Sequence, residues 1–166
     1  MTPNYNTSER GTTLVEALVA IMILVFGVVP SLAVILTGNA FSSSVRDRLV
    51  ASNLAQEGME VVRAIRDANW FDNEPFDLGL SDGIYRLEWS SDALLPESQN
   101  PPLKVTPAGL YNYSSGVDTT FRRRIIITRI DPLGCNCELR IITEVTWPER
   151  GRTKTVQVES HLFNWR

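Results

Sequence analysis

The sequence is poor in the side chains that most often carry out chemistry. It holds two cysteines and one histidine. It has no Gly-rich phosphate loop, no cluster of metal-ligating residue types and no G-x-S-x-G elbow. Nucleotide, metal-ion and serine-hydrolase chemistry therefore lack their usual sequence support. Charge of one sign is not in excess either: the formal net charge is −3. That balance gives no electrostatic reason to expect nucleic acid as the main partner. Hydrophobic residues at 43% and charged residues at 21% exclude a disordered chain. A length of 166 residues suits one modest domain plus an extra element.

What is present is distributed unevenly. Leu14 to Leu36 reads LVEALVAIMILVFGVVPSLAVIL, with Glu16 as its only charge. A bilayer core roughly 30 Å thick needs about 20 such residues at about 1.5 Å rise each. A core helix that is apolar all round needs a large protein around it, and the remaining chain is too short to supply one. A cleaved secretory signal has an apolar run of about 7–15 residues, shorter than this one. Gly38-Asn39-Ala40 passes only weakly for its cleavage site, and the helical pattern continues straight through it. Beyond it, Phe41, Val45, Leu49, Leu54, Gly58, Val61, Val62, Ile65 and Ala68 recur at helical spacing. Arg46, Asp47, Arg48, Glu57, Glu60, Arg63, Arg66 and Asp67 lie between them and are expected to face water. The pattern predicts one long helix from about 12 to about 68, lipid-soluble first and amphipathic after.

Two features interrupt the apolar half. Pro30 lacks an N–H and crowds the carbonyl of Phe26, so a kink or local melting is expected near Gly27. It reads either as a harmless kink or as a weak point that lets the helix extend during assembly. A carboxylate such as Glu16 within an apolar span costs about 2.5–3.5 kcal/mol and is usually paired or functional. No Lys or Arg follows it before Arg46. Another chain's cation, a newly made N-terminal amine, or headgroup water at the membrane edge would each relieve it.

The stretch Arg10-Gly11-Thr12-Thr13-Leu14-Val15-Glu16, followed by the apolar run, resembles the class III signal of type IV prepilins and pseudopilins. In that family a cytoplasmic leader ends in Gly, prepilin peptidase cuts after it, and an acid stands five residues into the mature chain. The resemblance implies cleavage between Gly11 and Thr12, N-methylation at Thr12, and pairing of Glu16 with a neighbouring subunit's N-terminal amine. Thr12 stands where the family usually carries Phe or Met, and Arg10 is the leader's only basic side chain. The implied organisation is a leader over 1–11, a transmembrane and assembly helix over 12–36, an amphipathic helix over 37–70 and an extracytoplasmic head over 71–166. The implied partners are other pilin subunits, the peptidase, an inner-membrane assembly platform and the bilayer of a bacterial cytoplasmic membrane. A minor pilin or pseudopilin is favoured over a major subunit. Whether the filament serves motility, adhesion, secretion or DNA uptake stays open.

After Trp70 the composition changes. Asn69 to Leu80 reads as helix exit and loop. Tyr85, Leu87 and Trp89 alternate with Arg86 and Glu88, a half-buried strand. Four prolines make Ser91 to Gly109 a long surface loop. Phe121 to Ile130 reads as a strand buried in its middle, and Asp131-Pro132-Leu133-Gly134 as a turn. Leu139, Ile141, Val145 and Trp147, then Val156, Val158 and Leu162, alternate with polar residues about a turn at Pro148-Glu149-Arg150-Gly151. The expected fold class is α+β and pilin-like: a long N-terminal helix on an antiparallel sheet of about four strands.

Cys135 and Cys137 stand one residue apart, with a local disulfide, free thiols or metal binding as the open readings. A closed zinc site would lack ligands within one chain, so no metal and no cofactor is expected. His161 lies on a strand's polar face with no nucleophile motif around it, and reads as an ordinary surface histidine. Arg122-Arg123-Arg124 reads as a strand entering the sheet rather than a nucleic-acid patch. Three functional classes follow: a filament subunit without enzymatic activity, a membrane-anchored binding module, and an anchored hydrolase using His161.

Overall fold

The computed structural model describes residues 13–97, 99–130, 134 and 137–164. The leader, Gly11, Thr12, the Asp131–Leu133 turn and Cys135 lie outside the described residues. A single helix, α1, spans Leu14–Phe71, and the chain divides into two units between Ser43 and Ser44.

In the first unit the described side chains are exposed, and among the described residues Glu16 is the only charge. An 18-residue window has mean hydropathy 2.9 and none of it is buried, so this segment is long and apolar enough to cross a membrane. The helix begins at Thr13, whose carbonyl accepts from the Ala17 amide at 3.1 Å and whose Oγ1 accepts from the Glu16 amide at 3.3 Å. Thr13-Leu14-Val15-Glu16 has the T-x-x-E order of a capping box, so the N-cap is written locally. The helix continues through Gly27 and Pro30 without a melted turn. The ring still removes the donor that the Phe26 carbonyl would have received. Nearby hydroxyls bond back along the helix, Ser31 Oγ to the Gly27 carbonyl at 2.7 Å and Thr37 Oγ1 to the Ala33 carbonyl at 2.8 Å. Such back-bonding satisfies polar groups that lipid could not.

In the second unit, residues 44–71 of α1 lie against an antiparallel sheet. Eight strands follow: β1 Gly83–Arg86, β2 Leu95–Pro96, β3 Lys104–Val105, β4 Tyr111–Asn112, β5 Val117–Asp118, β6 Arg122–Ile130, β7 Glu138–Glu149 and β8 Arg152–Phe163. Five form a sheet in the order β2-β1-β6-β7-β8, and three form a small sheet in the order β4-β3-β5. The expectation of about four strands is therefore too low. β2 and β3 lie inside the stretch expected to be loop, and Leu103 beside β3 is fully buried. Two-residue ladders are too short to show a period of two, which is why they escape pattern reading.

The helix ends where backbone geometry stops it. The Glu74 amide bonds the Asn69 carbonyl at 2.8 Å, and Asn73 takes a φ of 59°, the left-handed cap that Asn tolerates. The expected strand through Ser90 stops at Arg86. The Leu87 carbonyl is taken by the Arg123 guanidinium and the Glu88 amide by Ser91 Oγ, both at 2.7 Å, instead of a sheet partner.

The core joins Met59, Val62 and Trp70 of α1 to Ile125, Ile127, Leu139, Ile141 and Leu162 of the sheet. A second cluster joins Ala51, Leu54 and Ala55 to Leu103, Phe121, Val145 and Trp147. The buried helix stripe thus runs Ala51, Leu54, Ala55, Gly58, Met59, Val62. Val45 and Leu49, expected on that face, are 42% and 60% exposed, and Ala68 is exposed too. Small residues in the stripe let helix and sheet approach. A Cβ at Gly58 would stand 2.9 Å from Thr143 Cγ2 and 3.1 Å from Ile125 Cδ1.

Candidate assembly site and polar clusters

The first turn of α1 presents a carboxylate at the edge of a stretch that is uncharged over residues 17–45. Glu16 is exposed, and among the described residues its carboxylate has no hydrogen-bond or ion-pair partner. The free amides of a helix N-terminus favour negative charge there. Asp and Glu at such a position still need a second cation when the surroundings are apolar. Gly27 and Pro30 lie further along the same exposed surface, and Gly27 has open space around its Cα.

Inside the head the strongest polar feature is Arg123, the middle residue of the Arg122–Arg124 run. Strand alternation at the start of β6 sends Arg123 inward, fully buried, while Arg122 faces out. Its Nη1 donates to Glu57 Oε1 at 2.8 Å and to the Leu54 carbonyl at 3.0 Å, and its Nη2 donates to the Leu87 carbonyl. Glu57, expected to face water, is therefore turned toward the core, its side chain 34% exposed. Gly58 makes this possible, because a Cβ there would come within 3.3 Å of Arg123 Cδ. Arg124, on the outer face, bonds Glu144 at 2.6 Å, and Gln157 donates to the other oxygen of that carboxylate at 2.6 Å. The run is thus divided between core and surface.

His161 lies on β8 with its ring nitrogens toward two carboxylates, Glu138 at 2.5 Å and Glu159 at 3.3 Å. The hydrogen bond to Glu138 is the main cause holding the imidazole pKa above its ordinary value, and Glu159 adds to it. Arg140 grips Glu159 at 2.7 and 3.0 Å and is the main cause lowering that carboxylate's pKa. Ser160 Oγ accepts instead from Arg63 Nη2 at 3.1 Å, on the opposite face of the strand. The described contacts therefore assemble a surface ion-pair network around His161 rather than a nucleophile and its base. Cys137 is disulfide-bonded, so the free-thiol reading does not apply to it. No group of three or more metal-ligating side chains occurs among the described residues.

Sequence reading names Glu16, Pro30 and His161 and puts Gly58 on the buried helix face, but misses the burial of Arg123 and its pairing with Glu57. The available signal was a central arginine in an otherwise apolar alternation, opposite a glycine on a helix. Comparison with protein-family models, with characterised proteins and with solved structures finds no match to this chain.

Proposed function

We propose that the chain is a structural subunit of a type IV pilus-like or pseudopilus filament, anchored by its apolar helix and without catalytic activity. The observation that carries the reading is Glu16: an unpartnered carboxylate in the first turn of a helix whose apolar surface its own chain leaves uncovered. Lipid covers that surface before assembly, and neighbouring helices cover it afterwards. A neighbour's N-terminal amine at Thr12 gives Glu16 its cation, which makes subunit addition selective for correctly cut chains. The head then lies outside the cytoplasm, where the disulfide at Cys137 persists. The partners are like or related subunits, prepilin peptidase and a membrane assembly platform.

Intact mass of the protein from membranes with and without prepilin peptidase tests the reading. A chain beginning at Thr12, seen only with the peptidase, supports it. A chain beginning at Met1 in both, or one cut after Ala40, overturns it.

A further inference from the structure

The β7–β8 hairpin carries a concentration of positive charge that the chain's overall acidity conceals. Its tip holds Arg150 and Arg152, and Lys154 follows across from Trp147. The tip meets the first turns of residues 44–71 of α1: Ser44 and Arg48 line one cleft of about 260 Å³ together with Trp147, Glu149, Lys154 and Thr155. Arg48, Arg150, Arg152 and Lys154 are all exposed, and none has an ion-pair partner among the described residues. Glu149 is the one carboxylate in the cleft, so the cluster is net positive in a chain of formal charge −3.

The tip also contains a residue that the backbone disfavours. Arg150 and Gly151 form the two-residue loop between paired Glu149 and Arg152, and their φ values are 49° and 75°. Positive φ at both positions marks a type I′ turn, which favours Asn, Asp or Gly at its first position. An arginine there gains nothing locally, since its side chain makes no hydrogen bond or ion pair in the fold. Trp147, walling the cleft, has a buried indole Nε1–H with no acceptor in the protein.

We propose that this cleft and hairpin tip bind the phosphate of an anionic phospholipid headgroup, holding the base of the head to the membrane surface. The proposal rests on the membrane-anchored reading above. Ser44 follows Leu36 by eight residues, so chain reach alone keeps the cleft within about 29 Å of the apolar segment. Tethering at that range raises the local concentration of headgroups around the cations. Arg48 and Lys154 grip the phosphate, Ser44 and Thr155 supply hydroxyl donors, and Arg150 and Arg152 add attraction to the charged surface. Each cation near an anionic surface is worth about fivefold in affinity.

The test uses the full chain in nanodiscs of phosphatidylcholine mixed with phosphatidylglycerol, with retained lipids counted by native mass spectrometry. The wild type is expected to retain phosphatidylglycerol in preference, less so as salt rises. Arg48→Gln with Lys154→Gln cuts the preference about twenty-five-fold while the protein stays inserted, leaving the residual attraction of Arg150 and Arg152. Arg150→Asn weakens it about fivefold and at the same time raises the melting temperature, a pairing that a merely structural arginine would not produce. Equal retention of both lipids by the wild type, or a preference that the double substitution leaves undiminished, overturns the proposal. So does displacement by inorganic phosphate at matched ionic strength, which identifies a free-anion site. Loss of subunit–subunit crosslinks in the double variant with lipid preference intact assigns the cleft to an acidic protein segment and overturns it as well. A protein that alkaline carbonate strips from the bilayer overturns the anchored reading itself, a distinguishable result.

Discussion

The two parts of α1 share a backbone conformation and almost nothing else. None of the described side chains of residues 14–43 is buried and that stretch carries one charge, whereas residues 44–71 bury a small-residue stripe and carry charges on the remaining faces. Local helix grammar therefore does not distinguish them; composition decides which solvent each requires. The first part needs lipid or other helices, and the second is specified by the sheet it covers. Substitutions that exchange these environments test the contrast directly.

The largest effect is expected at Arg123. Arg123→Ala leaves the Leu54 and Leu87 carbonyls and Glu57 without their shared donor, and such a loss costs about 3–5 kcal/mol. Thermal and denaturant unfolding of the full chain in detergent would measure it. The paired change Glu57→Leu with Arg123→Met is expected to recover most of that loss, since apolar replacement of a buried ion pair is often neutral. A double variant as unstable as the single one would show that the backbone carbonyls, not Glu57, dominate.

The apolar part answers to a different rule. Leu24 is 62% exposed, so Leu24→Arg removes no packing within the chain. It is nevertheless expected to weaken membrane insertion by about 2.5–3.5 kcal/mol, read from the fraction of chains that insert. The same substitution should leave the head's unfolding unchanged. A shift in head stability would break the separation between the two parts.

Gly58 probes the closest approach of the second part. Gly58→Val places methyls against Thr143 and Ile125 at a site with no room, and is expected to destabilise the head by about 1–3 kcal/mol. Gly27→Val, on the first part, has open space and should leave the unfolding of the head unaltered. Equal effects at both glycines would mean that the first part is covered by its own chain after all.

What could be read from residues alone follows the same division. The apolar segment, Glu16 and the alternation of Leu139, Ile141 and Val145 announce themselves because one physical period dominates each. The helix expected over about 12–68 is close to the observed Leu14–Phe71. The expected helix face includes Leu54, Gly58 and Val62, which are buried, but it carries Val45 and Leu49 where Ala51 and Ala55 make the contact, because small side chains contribute little to an apolar pattern. Arg123 was hidden for a related reason. In a strand, three consecutive arginines alternate faces, and only a tertiary partner on the helix reveals which one turns inward. The N-cap at Thr13, whose Oγ1 accepts from the Glu16 amide, is legible from the T-x-x-E spacing alone. The hairpin turn was displaced because Pro148 sits within β7. There β7 extends past the end of its β6 ladder at Thr146, so proline's missing N–H costs no cross-strand bond on that side.

The smallest expected effect lies at the surface of the head, where neither burial nor lipid decides. His161 contacts Glu138 and Glu159, and its pKa is raised in the folded chain mainly by the bond to Glu138. A raised folded-state value means that the protonated ring favours folding. That contribution is fully present below the unfolded value of about 6.5 and fades as pH rises through the higher folded value. Removing the histidine should therefore lower the melting temperature near pH 6 and leave it unchanged well above neutrality. Glu159 keeps Arg140 as its partner, so its own lowered pKa persists in His161→Gln. The gap between wild type and His161→Gln, measured across pH at low and high salt, should close with rising pH and shrink with salt, as exposed pairs do. A gap independent of pH would mean that the ring contributes through its contact with Phe163, whose centroid lies 6.4 Å away, rather than through charge.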